Sequence, residues 1–173
     1  MSIKKMKLSL LALLLPVSSF ANFSNESELT TIITGGNTTQ ELWNAKTTNS
    51  YELSKNIFKL SGHYTYGKSD EGLTARNWDL NTKYERALSK KWSTFGSVQY
   101  LEDAFANVDY KWNYDIGGVY YILKTEKLKV SSEFGFRRTI ESDLQGVKDN
   151  SSRARLYTEL NHTKSKSISY KVW

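Results

Sequence analysis

Cysteine is absent from this 173-residue chain, proline occurs once and histidine twice. Without cysteine there is no disulfide framework, no thiolate metal site and no cysteine nucleophile. The one proline, Pro16, lies near the N-terminus, so beyond it Gly and Asn-Ser-Lys clusters supply the breaks between elements. Long apolar runs are also missing. The longest, Leu8 to Leu15, is too short for a permanent transmembrane helix, which takes about 20 residues. What the chain does have is 13% aromatic, 24% charged and 39% hydrophobic residues, with a mean hydropathy of −0.55. That is too aromatic for a disordered tail and too polar for a helical membrane protein. The length suits one domain, two at most.

Residues 1–21 read as a cleaved secretory signal peptide. Lys4, Lys5 and Lys7 form a positive start, Leu8 to Leu15 an apolar core, and Ser19-Phe20-Ala21 a small-x-small cleavage site. Cleavage after Ala21 removes three of 24 basic residues and none of the 18 acidic ones, so the net charge falls from +6 to +3. The basicity is therefore partly a targeting device, the remaining basic residues are scattered along the sequence, and no nucleic-acid partner is expected.

From residue 22 onward the hydrophobic period is 2 rather than 3.6. In Ile57 to Lys68, Phe58, Leu60, Gly62, Tyr64 and Tyr66 alternate with Lys59, Ser61, His63 and Thr65. A fourth segment sets Trp78, Leu80, Thr82 and Tyr84 against Asp79, Asn81, Lys83 and Glu85. A sixth sets Trp112, Tyr114, Ile116 and Tyr120 against Lys111, Asn113 and Asp115, and a seventh sets Val130, Phe134, Phe136 and Ile140 against Lys129, Glu133 and Arg137. Weaker strands are expected at Glu28 to Thr34, Trp43 to Leu53, Trp92 to Leu101 and Arg153 to Lys164, and a ninth starts at Ile168. The expected fold is all-β: an antiparallel up-and-down transmembrane β-barrel of at least eight strands, with the ninth cut short at the C-terminus.

The direction of the greasy face decides between a barrel in lipid and a soluble sandwich, since both alternate. Connections are expected to alternate between short ones (Ser54-Lys55-Asn56, Ser89-Lys90-Lys91) and longer ones (Ser69 to Thr74, Glu102 to Asp109, Ser142 to Ser152), as in outer-membrane barrels. Apolar faces end in Trp78, Tyr66 and Tyr110 at one end and Tyr84, Trp92 and Tyr120 at the other, where interfacial aromatics belong. Closure takes an even number of strands in such barrels, so residues 22–173 are read as a C-terminally incomplete barrel domain. The apolar alternation of the ninth strand puts Trp173 on the polar face, and an open edge predicts poor insertion.

Candidate chemistry is sparse. His63 shares a face with Ser61 and Asp79, which would suit a barrel hydrolase; the alternative places His63 as one more polar group of the lumen and His162 at the interface. Asp70, Glu71, Glu102 and Asp103 match no cation-loop spacing, and no catalytic, cofactor-binding or metal residue is assigned. Gly117-Gly118 reads as a strand kink and Gly35-Gly36 as a turn. The most informative constellation is the charged polar face: Lys59, Asp79, Lys83, Glu85, Lys111, Asp115, Lys129, Glu133, Arg137, Arg153, Arg155 and Glu159. Glu133 and Arg137 are expected to pair with Lys111 or Asp115 across one hairpin. A self-satisfying network is preferred to a solute path, because small barrels fill their interior with side chains.

Asn25-Glu26-Ser27-Glu28-Leu29, Thr34-Gly35-Gly36-Asn37-Thr38, Tyr66-Gly67-Lys68-Ser69-Asp70, Ala75-Arg76-Asn77-Trp78, Lys83-Tyr84-Glu85-Arg86 and Tyr121 to Lys127 together resemble the salt-induced outer-membrane protein family. The resemblance implies an outer-membrane location in a Gram-negative envelope, a link to salt or envelope stress, and no catalytic residues. A non-enzymatic structural component or narrow passive channel is expected, without cofactor. Its partners would be the bilayer, lipopolysaccharide at the long-loop end, the barrel assembly machinery and periplasmic chaperones. The alternatives are an outer-membrane barrel hydrolase or protease and a soluble periplasmic β-domain binding a small ligand.

Overall fold

The two-residue alternation builds β-strands throughout. The computed structural model describes the backbone of residues 22–36, 39–125, 128–165 and 168–172, with side chains through residue 160. The strands are β1 (Phe23–Thr34), β2 (Gln40–Leu53), β3 (Asn56–Ser69), β4 (Gly72–Ala87), β5 (Trp92–Asp103), β6 (Val108–Lys124), β7 (Leu128–Asp143), β8 (Lys148–Ser165) and β9 (Ile168–Val172). They form one antiparallel sheet in sequence order, each strand beside the next. The expected signal peptide and Trp173 lie outside the described residues.

The turns between β1 and β2, β3 and β4, β5 and β6, and β7 and β8 form one rim, called upper below; the other turns form the lower rim. The expected long upper connections are not there. Strand pairing continues through Lys68↔Leu73 and Ser69↔Gly72, and through Ser142↔Lys148, leaving residues 70–71 and 144–147 as the turns. A backbone ladder needs no apolar side chain, so the polar residues beyond the greasy band continue as hairpin tips.

Among the described residues β1 pairs only with β2 and β9 only with β8, so the sheet is open and not closed into a barrel. Nine strands in a meander leave the first and last running parallel, which denies them an antiparallel seam.

The sheet curls with its polar face inward. On the concave side Glu85, Asp115 and Glu133 are 4%, 7% and 8% exposed, together with Phe95, Val119 and Tyr121. On the convex side Leu156 and Phe136 are 79% and 72% exposed, and Ile116, Leu80 and Phe58 are exposed too. Gly117 on β6 faces Gly135 on β7, and the two backbones approach closely there. A Cβ at Gly117 would lie 2.1 Å from the Phe134 carbonyl oxygen, and one at Gly135 2.2 Å from that of Ile116. Only a glycine pair lets two backbones tuck so tightly toward the concave side. The kink expected at Gly117-Gly118 is thus a cross-strand pair between Gly117 and Gly135.

Candidate functional site

All twelve charged residues singled out in the sequence share the concave face, since each strand keeps its register with the next across the pleat. The cluster centres on two carboxylates. Asp115 on β6 accepts two hydrogen bonds from Arg137 on β7, Nε to Oδ1 and Nη2 to Oδ2, both 2.7 Å. It also accepts the Ser97 hydroxyl at 3.0 Å, and Arg155 Nη1 from β8 lies 3.6 Å away. The fork matches both planar groups, which makes this the strongest ion pair geometry available. Arg137 directly opposes Arg153 on β8, so Asp115 also offsets a like-charge pair.

Glu133 on β7 is held by Lys83 from β4 and by Arg155 Nη2 at 3.5 Å. The expected partners are corrected here. Arg137 does find Asp115, but Glu133 reaches across the curl to β4, and Lys111 pairs with Glu141 at 2.5 Å. Two strands, β5 and β6, separate Lys83 from Glu133 in the sheet, so only the curl joins them. Lys83 directly opposes Lys59 on β3 and turns away from it, with its ammonium also 4.5 Å from the Phe95 ring centre. Both the repulsion and the cation–π attraction favour that direction.

Tyr121 completes the floor. Its hydroxyl donates to Glu85 on β4, and the ammonium groups of Lys124 and Lys129 lie 4.8 and 5.1 Å from its ring centre. Tyr121, Phe95 and Glu141 were missed as members of the polar face. Tyr121 is in phase with Asp115, and Glu141 with Glu133 and Arg137, so the two-residue period points to both. Asn113 donates to Gln99 at 3.1 Å and accepts from Thr139 at 2.8 Å, which extends the network upward. Glu159 takes its place on the same face by register.

His63 faces Asp79 directly, with Nδ1 3.6 Å from Oδ1. Its Nε2, the atom a serine nucleophile would need, lies 3.1 Å from both Asn44 Oδ1 and Thr65 Oγ1. Ser61 opposes Asn81 and Thr48 instead, and the His162 side chain lies outside the described residues. The four acidic upper residues do not converge, and three of them are engaged separately. Asp70 accepts the Thr39 amide at 2.6 Å, and Asp103 caps the Phe105 and Ala106 amides at 3.0 Å. Glu102 accepts from Trp78 Nε1 at 3.0 Å and the Tyr100 hydroxyl at 2.6 Å, while Glu71 is exposed at the tip. Among the described residues no three acidic or histidine side chains converge as metal ligands.

Glu133→Ala tests whether the network is structural. It strands Lys83 and Arg155, although Arg155 keeps Asp115. Unfolding free energy in detergent is expected to fall by about 2 to 3 kcal/mol, below the roughly 3 to 5 of a wholly broken buried pair. An unchanged stability with altered ion selectivity in planar bilayers would assign the carboxylate to conduction instead.

A curled antiparallel meander with a charged, paired interior and an apolar exterior defines the class of protein. Residues 27–172 match the family described as protein of unknown function, DUF481, and the chain belongs to that family. No curated protein matches it.

Proposed function

We propose that the protein is a non-enzymatic component of the bacterial outer membrane, its convex face against lipid and its concave face a self-paired polar interior. The observation that carries this reading is the inverted burial: carboxylates and guanidinium groups lie inside while Phe136, Leu156, Ile116 and Leu80 face outward. A water-soluble sheet that buried its charges and exposed these side chains would forgo the main stabilising term of folding. Bilayer contact reverses that judgement.

The aromatic rows support the same reading. On the convex face Trp78, Tyr100 and Trp112 form a chain of rings 5.1 and 4.7 Å apart near the upper end. Trp92 and Tyr120, 4.7 Å apart, and Phe58 and Tyr84, 4.9 Å apart, mark the lower end. Trp112 and Tyr120 are eight residues apart on β6, roughly 27 Å along a strand, which a tilt of about 40° brings near the hydrocarbon thickness of such barrels. The reading requires the edges of β1 and β9 to be paired in the membrane, since unpaired backbone groups are not tolerated in lipid.

The salt- or envelope-stress association is part of this proposal and rests on the family resemblance. So do the expected partners: outer-membrane lipid, lipopolysaccharide at the upper rim, the assembly machinery and periplasmic chaperones. Fractionation tests the location. The protein is expected in the detergent-extracted outer membrane with heat-dependent gel mobility; recovery in the soluble periplasmic extract would overturn the proposal in favour of a periplasmic β-domain.

A further inference from the structure

Basic residues that are scattered in sequence meet at one end of the sheet. Alternate turns of a meander fall on the same rim, and the lower turns carry Lys55, Lys90 and Lys91, with Lys124 as the last residue of β6 and Arg86 one residue inside β4. All five are exposed, and none has an ion pair among the described residues. Among the described residues the exposed acid beside them is Glu52, while Glu85 is buried and engaged by Tyr121. Among the described residues the upper rim has the opposite character: Asp70, Glu71, Asp103 and Asp109 lie there, with Lys68, Lys148 and, four residues inside, Arg76 as its bases.

The lower turns are also firmly built. Ser89 Oγ accepts the Lys91 and Trp92 amides at 3.3 and 3.1 Å. The Lys55 carbonyl accepts from Ala87 N and the Lys91 carbonyl from Tyr121 N, both at 2.8 Å, tying each turn to the neighbouring strand end. Immediately inside this rim, on the convex face, lie the aromatic pairs Trp92–Tyr120 and Phe58–Tyr84. Exposed ammonium groups beside interfacial aromatics put positive charge at the depth of lipid phosphates.

We infer that the lower rim is a docking surface for anionic phospholipid headgroups, the lysines holding phosphates while Trp92, Tyr120, Phe58 and Tyr84 seat in the interface. This deepens the membrane reading and rests on it. It also gives the sheet an orientation: the basic rim lies in a phospholipid leaflet and the acidic hairpin tips project from the opposite side.

The test is flotation of the full chain, diluted from urea onto vesicles of phosphatidylcholine alone or with one third phosphatidylglycerol. The wild type is expected to associate with both and more strongly with the anionic vesicles, the gain shrinking as salt screens it. K55E/K90E/K91E should lose that gain, on the order of tenfold or more in partitioning. K68E/R76E/K148E, with the same change of net charge at the other end, should keep it. Circular dichroism establishes that both variants retain strand structure. Equal losses in the two variants would reduce the effect to net charge and overturn the inference while leaving the membrane reading in place, as would an unchanged gain in the lower-rim variant. Failure of the wild type to float with either vesicle would overturn both.

Discussion

Replacing Asp115 with alanine is expected to give the largest loss of stability among the charged residues of the interior. Its side chain is only 4% exposed and answers three groups at once: Arg137 through a two-point fork, Arg155 at 3.6 Å and Ser97 at 3.0 Å. After its removal Arg137 would face Arg153 with no carboxylate beside it. Breaking a buried pair typically costs roughly 3 to 5 kcal/mol, chiefly because the surviving charge is left desolvated. Arg137 retains 29% exposure of its side chain, which lets some water relieve it and sets the expectation near 3 to 4 kcal/mol. Urea unfolding in detergent, followed by tryptophan fluorescence, measures this. Asp115→Asn should lose less, because the amide oxygen still accepts a hydrogen bond. In the double variant D115A/R137A the loss should be smaller than the sum of the singles by about 1 to 3 kcal/mol. Additive losses, or a single-variant loss under about 1 kcal/mol, would mean the pair is solvated and does not hold the curl.

Gly135→Ala is the second large effect, and its origin is backbone sterics rather than charge. The added Cβ would sit 2.2 Å from the Ile116 carbonyl oxygen and 2.9 Å from Gly117 Cα. No side-chain rotation relieves a contact between a Cβ and the neighbouring backbone, so β6 and β7 must part and their ladder must weaken there. Overpacking alone costs about 1 to 3 kcal/mol, and buried backbone groups left without partners add about 1 to 3 more. The expected total is about 3 kcal/mol or above. Gly96→Ala is the matched control: its nearest neighbour is the Asp115 carbonyl oxygen at 3.8 Å, ordinary contact distance, and little change is expected. Because the curl brings β4 to β7, Gly135→Ala should also cancel part of the Glu133→Ala loss when the two are combined. Equal stabilities for the Gly135 and Gly96 variants would remove the glycine pair as the source of curvature.

Much of this architecture is legible from the alternation of side chains. A strand has no freedom to choose its own faces once its polar and apolar residues alternate, and a one-residue slip would exchange them all. That is why the alternation alone assigns Lys83 and Glu85, Lys111 and Asp115, and Glu133 and Arg137 to one face, together with the sequential antiparallel order. Strand ends were less legible. The alternating apolar residues stop near Tyr66 and Trp78, whereas the ladder runs on to Ser69 and Gly72 through backbone hydrogen bonds that leave no hydropathic trace.

Only the tertiary structure decided which face is concave, how far it closes, and who meets whom inside. Lys83 finds Glu133 and Tyr121 finds Glu85 because Gly117 and Gly135 let the sheet bend, and bending is a property of two facing backbones rather than of either strand's sequence. The lower rim is similar. Lys55, Lys90 and Lys124 are far apart along the chain, and a meander returns each to the same edge. Sequence sets the period of each strand locally; charge–charge contacts act through space, and curvature with turn order sets those distances.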